Sequence, residues 1–218
     1  METHDPAVLK AEQKKTLDSA RRPYGLLGRG LFVTMDLFYG RSRTLSKFKV
    51  LEVVARVPYQ AWEHVAYIAM THTYSHPHFA RRIFEFVQES RRQQDNEQWH
   101  LLILEEMVQG KGIPENFFLY RVVPQILAFV YYHVSWLLYV AKPAWSYHLN
   151  ADFEDHAEHE YMEFVAENPW LQRESFVSDF EPEYGSFACA ADLFRRIGLD
   201  ERLHKEESLD RVANARFS

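Results

Sequence analysis

Along most of the chain, apolar positions return at the spacing of one helical face. Between residues 46 and about 74, Leu51, Val54 and Ala55 share a face, and Pro58 predicts a kink. Residues 79–109 predict a second long helix with Phe84, Val87, Leu101, Leu104 and Val108 as its apolar side. GKGIPEN at 110–116 stops that helix and turns the chain. Residues 146–166 predict a third helix, ended by NPW at 168–170. Residues 171–187 read as a surface connection. The last helix runs from 187 to about 212, with an interruption expected at Gly198. His72, His76 and His78 crowd the join before the second helix. Pro77 breaks the chain there and the three spacings define no common face, so the stretch reads as a loop.

Three stretches depart from this amphipathic pattern. Residues 1–20 are polar and predict an N-terminal extension, a frayed or loosely docked helix, ahead of a single helical domain over 21–218. Residues 23–39 are aromatic and apolar with two charges, Arg29 and Asp36. They suit an amphipathic helix that faces a membrane or packs on the other helices. Residues 122–141 contain no Asp, Glu, Lys or Arg and are long enough to cross a bilayer. Pro124, Gln125, His133 and Ser135 weaken that reading. Tyr131, Tyr132, Trp136, Tyr139 and Trp145 instead suit the depth of a membrane interface.

Composition supports helices. The 218 residues are 47% hydrophobic and 15% aromatic, with only 8 Gly and 9 Pro as punctuation. One cysteine, Cys189, excludes an internal disulfide framework and a cysteine-rich zinc site. The net charge of −6 is uneven: residues 1–50 hold ten Lys/Arg against five Asp/Glu, and the rest of the chain is acidic. The acidic body argues against a nucleic-acid partner, whereas the basic first third suits an anionic membrane surface. The first twenty residues lack the apolar core of a signal peptide and are too acidic for a typical transit peptide.

The candidate chemistry lies in a pattern that occurs twice, Glu97-x-x-His100 and Glu201-x-x-His204. On a helix, positions i and i+3 share a face, so each copy aims a carboxylate and an imidazole at one point. With 21 Glu and 11 His in the chain, about one such pattern is expected by chance, so the count says little. Order says more. Glu52 precedes the first pair and Glu154 lies between the two. Glu, Glu-x-x-His, Glu, Glu-x-x-His, one entry per helix, is the ligand order of ferritin-like di-metal carboxylate bundles. The fold expected is therefore all-α: a ferritin-like four-helix bundle with a di-metal carboxylate site, plus additional membrane-facing helices. A single crossing by residues 122–141 would put Glu97 and His100 on one side of the bilayer and Glu154 on the other. That helix is accordingly expected to lie in one leaflet, in a monotopic arrangement.

These motifs resemble the alternative oxidase family, the membrane-bound di-iron quinol oxidases that include the plastid terminal oxidases. The likeness runs from about residue 31 to 207. KVLEVVARVP resembles the family's LETVAAVPGM, DNEQWHL resembles NERMHL, FEDHAEHEY resembles LEEEA with a spacer and a tyrosine, and LDERLH resembles RADEAHH. The resemblance implies two iron ions as cofactor, with Glu52, Glu97, His100, Glu154, Glu201 and His204 as ligands. It implies Tyr161 as a redox-active tyrosine and Asp200 as a hydrogen-bond partner of a ligand histidine. Four departures stand out. Lys47 replaces an arginine of the quinol pocket and Glu160 replaces a threonine beside the tyrosine. Asp155 and His156 replace two acids, and Trp99 replaces a methionine.

What the resemblance implies for function is oxidation of ubiquinol or a related quinol by O2, forming water without proton pumping. Lys47 and Glu160 leave an alternative open, a di-iron oxygenase or desaturase acting on another lipophilic substrate. The resemblance also implies a peripheral membrane protein on a lipid surface, and a homodimer. The expected location is the cytoplasmic face of a bacterial inner membrane or an equivalent organellar membrane.

Overall fold

Seven of the nine prolines open a helical element, where the missing N–H costs nothing and the fixed φ suits the first turn. In the structure, a computed structural model that describes residues 5–213, Pro6 opens α1 (Pro6–Leu17) behind an Asp5 cap. α2 (Leu26–Tyr39) ends at Gly40, whose φ of 77° lies where a side chain would be strained. α3 (Leu45–Ala55) and α4 (Val57–His72) are two helices, divided at Arg56 just ahead of Pro58. Pro77 opens α5 (Pro77–Gly110), which carries the chain to a turn at Gly112. A π-helical turn, Phe118–Val122, leads into α6 (Val123–Ala141). α7 (Pro143–Glu167), the short α8 (Glu181–Tyr184) and α9 (Ala190–Ala213) complete the set. All regular structure among the described residues is helical.

The chain divides into two compact units, Leu45–His148 and the discontinuous pair Met1–Thr44 with Leu149–Ser218. In the first, α3 and α4 pack on α5, and α6 packs on α4 and α3. α3 is buried on every side: only Val53 of its eleven residues escapes. A helix so enclosed has no polar face, so its Lys47, Lys49 and Glu52 must be satisfied inside the protein. Lys49 does this by pairing with Glu105 (2.6 Å) and Glu115. α6 is the opposite case, with Ile126, Phe129, Val130, Leu137 and Val140 all exposed.

In the second unit, α1 is firmly docked rather than frayed. Gln13 donates to the Met162 carbonyl (2.9 Å) and Thr16 donates to Glu158 (2.6 Å). Its polar sequence hid this because the buried contacts are hydrogen bonds. The 20–25 stretch is strapped to α7 by two acids: Asp155 accepts from the Arg22 N–H and the Tyr24 hydroxyl, and Asp152 from the Gly25 N–H. α9 runs without interruption through Gly198. A Cβ there would lie 3.0 Å from the Met162 terminal methyl and 3.3 Å from the Tyr161 Cβ. The glycine permits close approach of two helices and does not break one.

Candidate metal-binding site

Packing of α3 on α5 places Glu52 beside the first Glu-x-x-His pair. The His100 Nδ1 lies 3.3 Å from a Glu52 carboxylate oxygen and 3.7 Å from one of Glu97. All three side chains are 0% exposed, and one donor atom from each lies within 4.8 Å of the others. In the second unit, α7 supplies Glu154 and α9 supplies Glu201 and His204. Here too the three donor atoms fall within 4.8 Å, with the His204 Nδ1 3.8 Å from Glu201. Glu154 and Glu201 are fully buried and His204 nearly so.

Each set gathers two carboxylates and an imidazole in dry surroundings. Holding such groups together is costly unless a cation or proton neutralises them. Hard carboxylate oxygens with one imidazole nitrogen are the donors that iron takes in carboxylate bundles. The residues therefore fit the metal that the sequence calls for, and each set could bind an ion.

A third acidic group shows the contrast. Asp155, Glu158 and His159 also bring donor atoms within 4.8 Å, yet protein cations reach them. The Lys205 ammonium lies 3.1 Å from Asp155 and also contacts Glu158, and the Arg202 guanidinium donates to Glu158 at 2.8 Å. Burial alone would raise both carboxyls, but these cations, the Arg22 N–H and Thr16 hold them below the usual range.

Tyr161 is fully buried on α7, stacked on Phe194 with ring centroids 6.2 Å apart. Asp200 accepts from the Tyr184 hydroxyl (2.7 Å) and from Arg196 (2.7 Å), two contacts that fix its carboxylate beside Glu201. Lys47 sits buried in the first turn of α3. Glu160 is bound by Arg21 (2.8 Å) and Arg43 (3.2 Å), which also hold Glu163. Burial opposes ionisation of Glu160, but His156 and the two arginines outweigh it and lower its pKa. Arg21, Arg43, Arg202 and Lys205 were not singled out from sequence. The signal for Arg21 and Arg43 was the run of acids Glu160, Glu163 and Glu167 on one face of α7, and that for Arg202 and Lys205 was the pair Asp155 and Glu158 on the same helix.

The alternative oxidase family model matches residues 17–181, a span that takes in Glu52, Glu97, His100, Glu154 and Tyr161 and ends before Glu201 and His204. Ubiquinol oxidase 4, chloroplastic/chromoplastic, of Arabidopsis thaliana is 32% identical over 131 residues, 60% of this chain and 34% of that protein. The chain thus spans about a third of the length of that relative. The all-helical fold and its buried carboxylate–histidine sets agree with the ferritin-like bundle expected. With three quarters of the sequence matched by the family model, the chain belongs to the alternative oxidase family.

Proposed function

We infer that the protein is a membrane-surface quinol oxidase that passes electrons from a lipophilic quinol to O2, with water as product and no proton pumping. The observation that carries this reading is the pair of buried carboxylate–imidazole sets in a chain of this family. Glu52, Glu97, His100, Glu154, Glu201 and His204 are the residues proposed to hold two iron ions. Iron, when bound, supplies the one-electron steps and open coordination positions that O2 reduction needs. The helices keep these donors dry, so water does not compete for them. Tyr161 donates an electron together with its phenolic proton. Asp200, whose carboxylate Tyr184 and Arg196 hold in place, is proposed as the hydrogen-bond partner that orients a ligand histidine.

The exposed apolar residues of α2 (Leu26, Leu27, Val33, Leu37), and separately those of α6, are each proposed to face lipid, where quinol is dissolved. The π-turn and α6 together, Phe118–Ala141, are long and apolar enough to cross a bilayer by length and composition. The monotopic reading is preferred because a crossing would separate the ligand-bearing helices before and after it. The relative is chloroplastic by name, so a bacterial membrane gains no support from it.

The departure at Glu160 needs no new substrate, since its charge is spent on Arg21 and Arg43. A quinol therefore stands ahead of another lipophilic molecule. The test is oxygen uptake by iron-loaded protein with a short-chain ubiquinol, with Glu97→Ala as control. Quinol-dependent uptake lost in the variant supports the reading; full iron loading with no uptake sinks it.

A further inference from the structure

Four aromatic residues of the Leu45–His148 unit form an unbroken stack that the proposed reaction does not use. Tyr59, at the start of α4, is fully buried and meets Trp62 edge-on with centroids 5.1 Å apart. Trp62 is 4.7 Å from the Tyr147 ring and 6.0 Å from that of Tyr139. Tyr139 and Tyr147 are 5.5 Å apart, and their hydroxyls share a hydrogen bond of 3.1 Å. The series begins seven residues after Glu52, at the position of the glycine in LETVAAVPGM. It ends at Tyr139, half-buried on α6 between the exposed Leu137 and Val140. Trp and Tyr are side chains readily oxidised by one electron, Tyr with loss of its phenolic proton. Rings in contact exchange electrons readily, so a buried series that reaches the surface is a conductor for an electron vacancy.

We propose that Tyr59, Trp62, Tyr147 and Tyr139 form a one-electron relay between the buried interior of α3–α5 and the outer face of α6. The relay rests on the proposed function, whose O2-reducing centre is the oxidant. Trp62 would give up one electron to that oxidant across the Tyr59 ring it meets edge-on, and the vacancy then moves outward to Tyr147 and Tyr139. The Trp62 indole N–H donates to Ser146 (2.8 Å), whose hydroxyl donates to the Ser135 carbonyl (3.1 Å). No base accepts the indole proton along that path, so the ring gives up an electron and keeps its proton. At the tyrosines the electron leaves with a phenolic proton, passed along the Tyr147–Tyr139 hydrogen bond and on to water. A thiol at the α6 face then returns one hydrogen atom to Tyr139. Each event moves one electron inward, releases one proton and leaves one oxidised donor radical outside. The device allows an oxidising centre to discharge safely when its own quinol is missing.

The test separates the relay from the oxidase reading by using full-length protein loaded with redox-inert zinc. A ruthenium photo-oxidant is attached at Val140→Cys in a Cys189→Ser background, and radicals are followed by transient absorption after a flash. A tryptophanyl signal is expected that falls at least tenfold in Trp62→Phe and persists in Trp145→Phe, with melting temperatures confirming that each variant is folded. An equal signal in Trp62→Phe, or one abolished by Trp145→Phe, overturns the relay. A second arm exposes iron-loaded protein to O2 without quinol and maps oxidised residues by mass spectrometry. Oxidation concentrated at Tyr139 and Tyr147, and lost in Trp62→Phe, supports the relay. Absence of any O2 uptake in this arm counts against the oxidase alone, because the flash experiment does not use iron.

Discussion

The acids of α7 divide by what neutralises them. Glu154 belongs to a buried set with the donor chemistry of a metal ligand, whereas Asp155, Glu158 and Glu160 face protein cations. The pKa values of these three are depressed against ordinary values of 3.8 and 4.5. Their contribution to stability is therefore complete above the unfolded values and is lost as pH falls through the lower folded ones. A melting-temperature profile should be flat near neutrality and drop below about pH 4.5. Glu160→Gln should flatten that drop; an unchanged profile would mean that Arg21 and Arg43 do not hold the carboxylate in solution. Lys205→Gln removes the one cation that Asp155 and Glu158 share while their other partners remain, and should cost about 2 kcal/mol in denaturant unfolding. Tyr161 is tested by Tyr161→Phe, which should leave metal content unchanged while quinol turnover falls more than tenfold. Equal loss of metal and turnover would make the residue structural.

At the scale of elements, α9 shows how far a local signal can mislead. A glycine inside a helical pattern is a fair mark of a break, yet Gly198 lies mid-helix with Met162 and Tyr161 against its backbone. Gly198→Ala sets a gain in helix propensity of roughly 1 kcal/mol against a tight contact with a flexible methionine, so stability should change little. Gly198→Leu has no such room and should cost about 1–3 kcal/mol by thermal or denaturant melting. Loss of the same size in both would place backbone rather than Met162 against the glycine. The main helices and their order were legible because apolar spacing and proline punctuation act locally. Glu97 and His100 were legible as a pair because one helix carries both. The docking of α1 was not legible, since Gln13 and Thr16 are buried through polar contacts with residues far away in the chain. Nor was the pairing of Glu160, whose partners Arg21 and Arg43 precede it by more than a hundred residues.

Across the whole molecule, two features point beyond its own core. α2 and α6 each leave a row of apolar residues exposed, which is proposed to meet a lipid surface. Co-flotation with anionic liposomes should fall several-fold in a Leu26→Ser, Val33→Ser, Leu37→Ser variant whose melting temperature is unchanged. Undiminished flotation would remove α2 from the membrane surface. The other feature is the repetition of one donor set, Glu52 with Glu97 and His100, and Glu154 with Glu201 and His204. We propose, as the family resemblance implies, that these six residues serve one dinuclear iron centre. The most direct measurement is iron content and Mössbauer spectroscopy of purified protein, compared with Glu97→Ala and Glu201→Ala. The account predicts two irons per chain, magnetically coupled, with the coupling abolished by either substitution alone. Two uncoupled irons, each removed only by substitution in its own set, would contradict it.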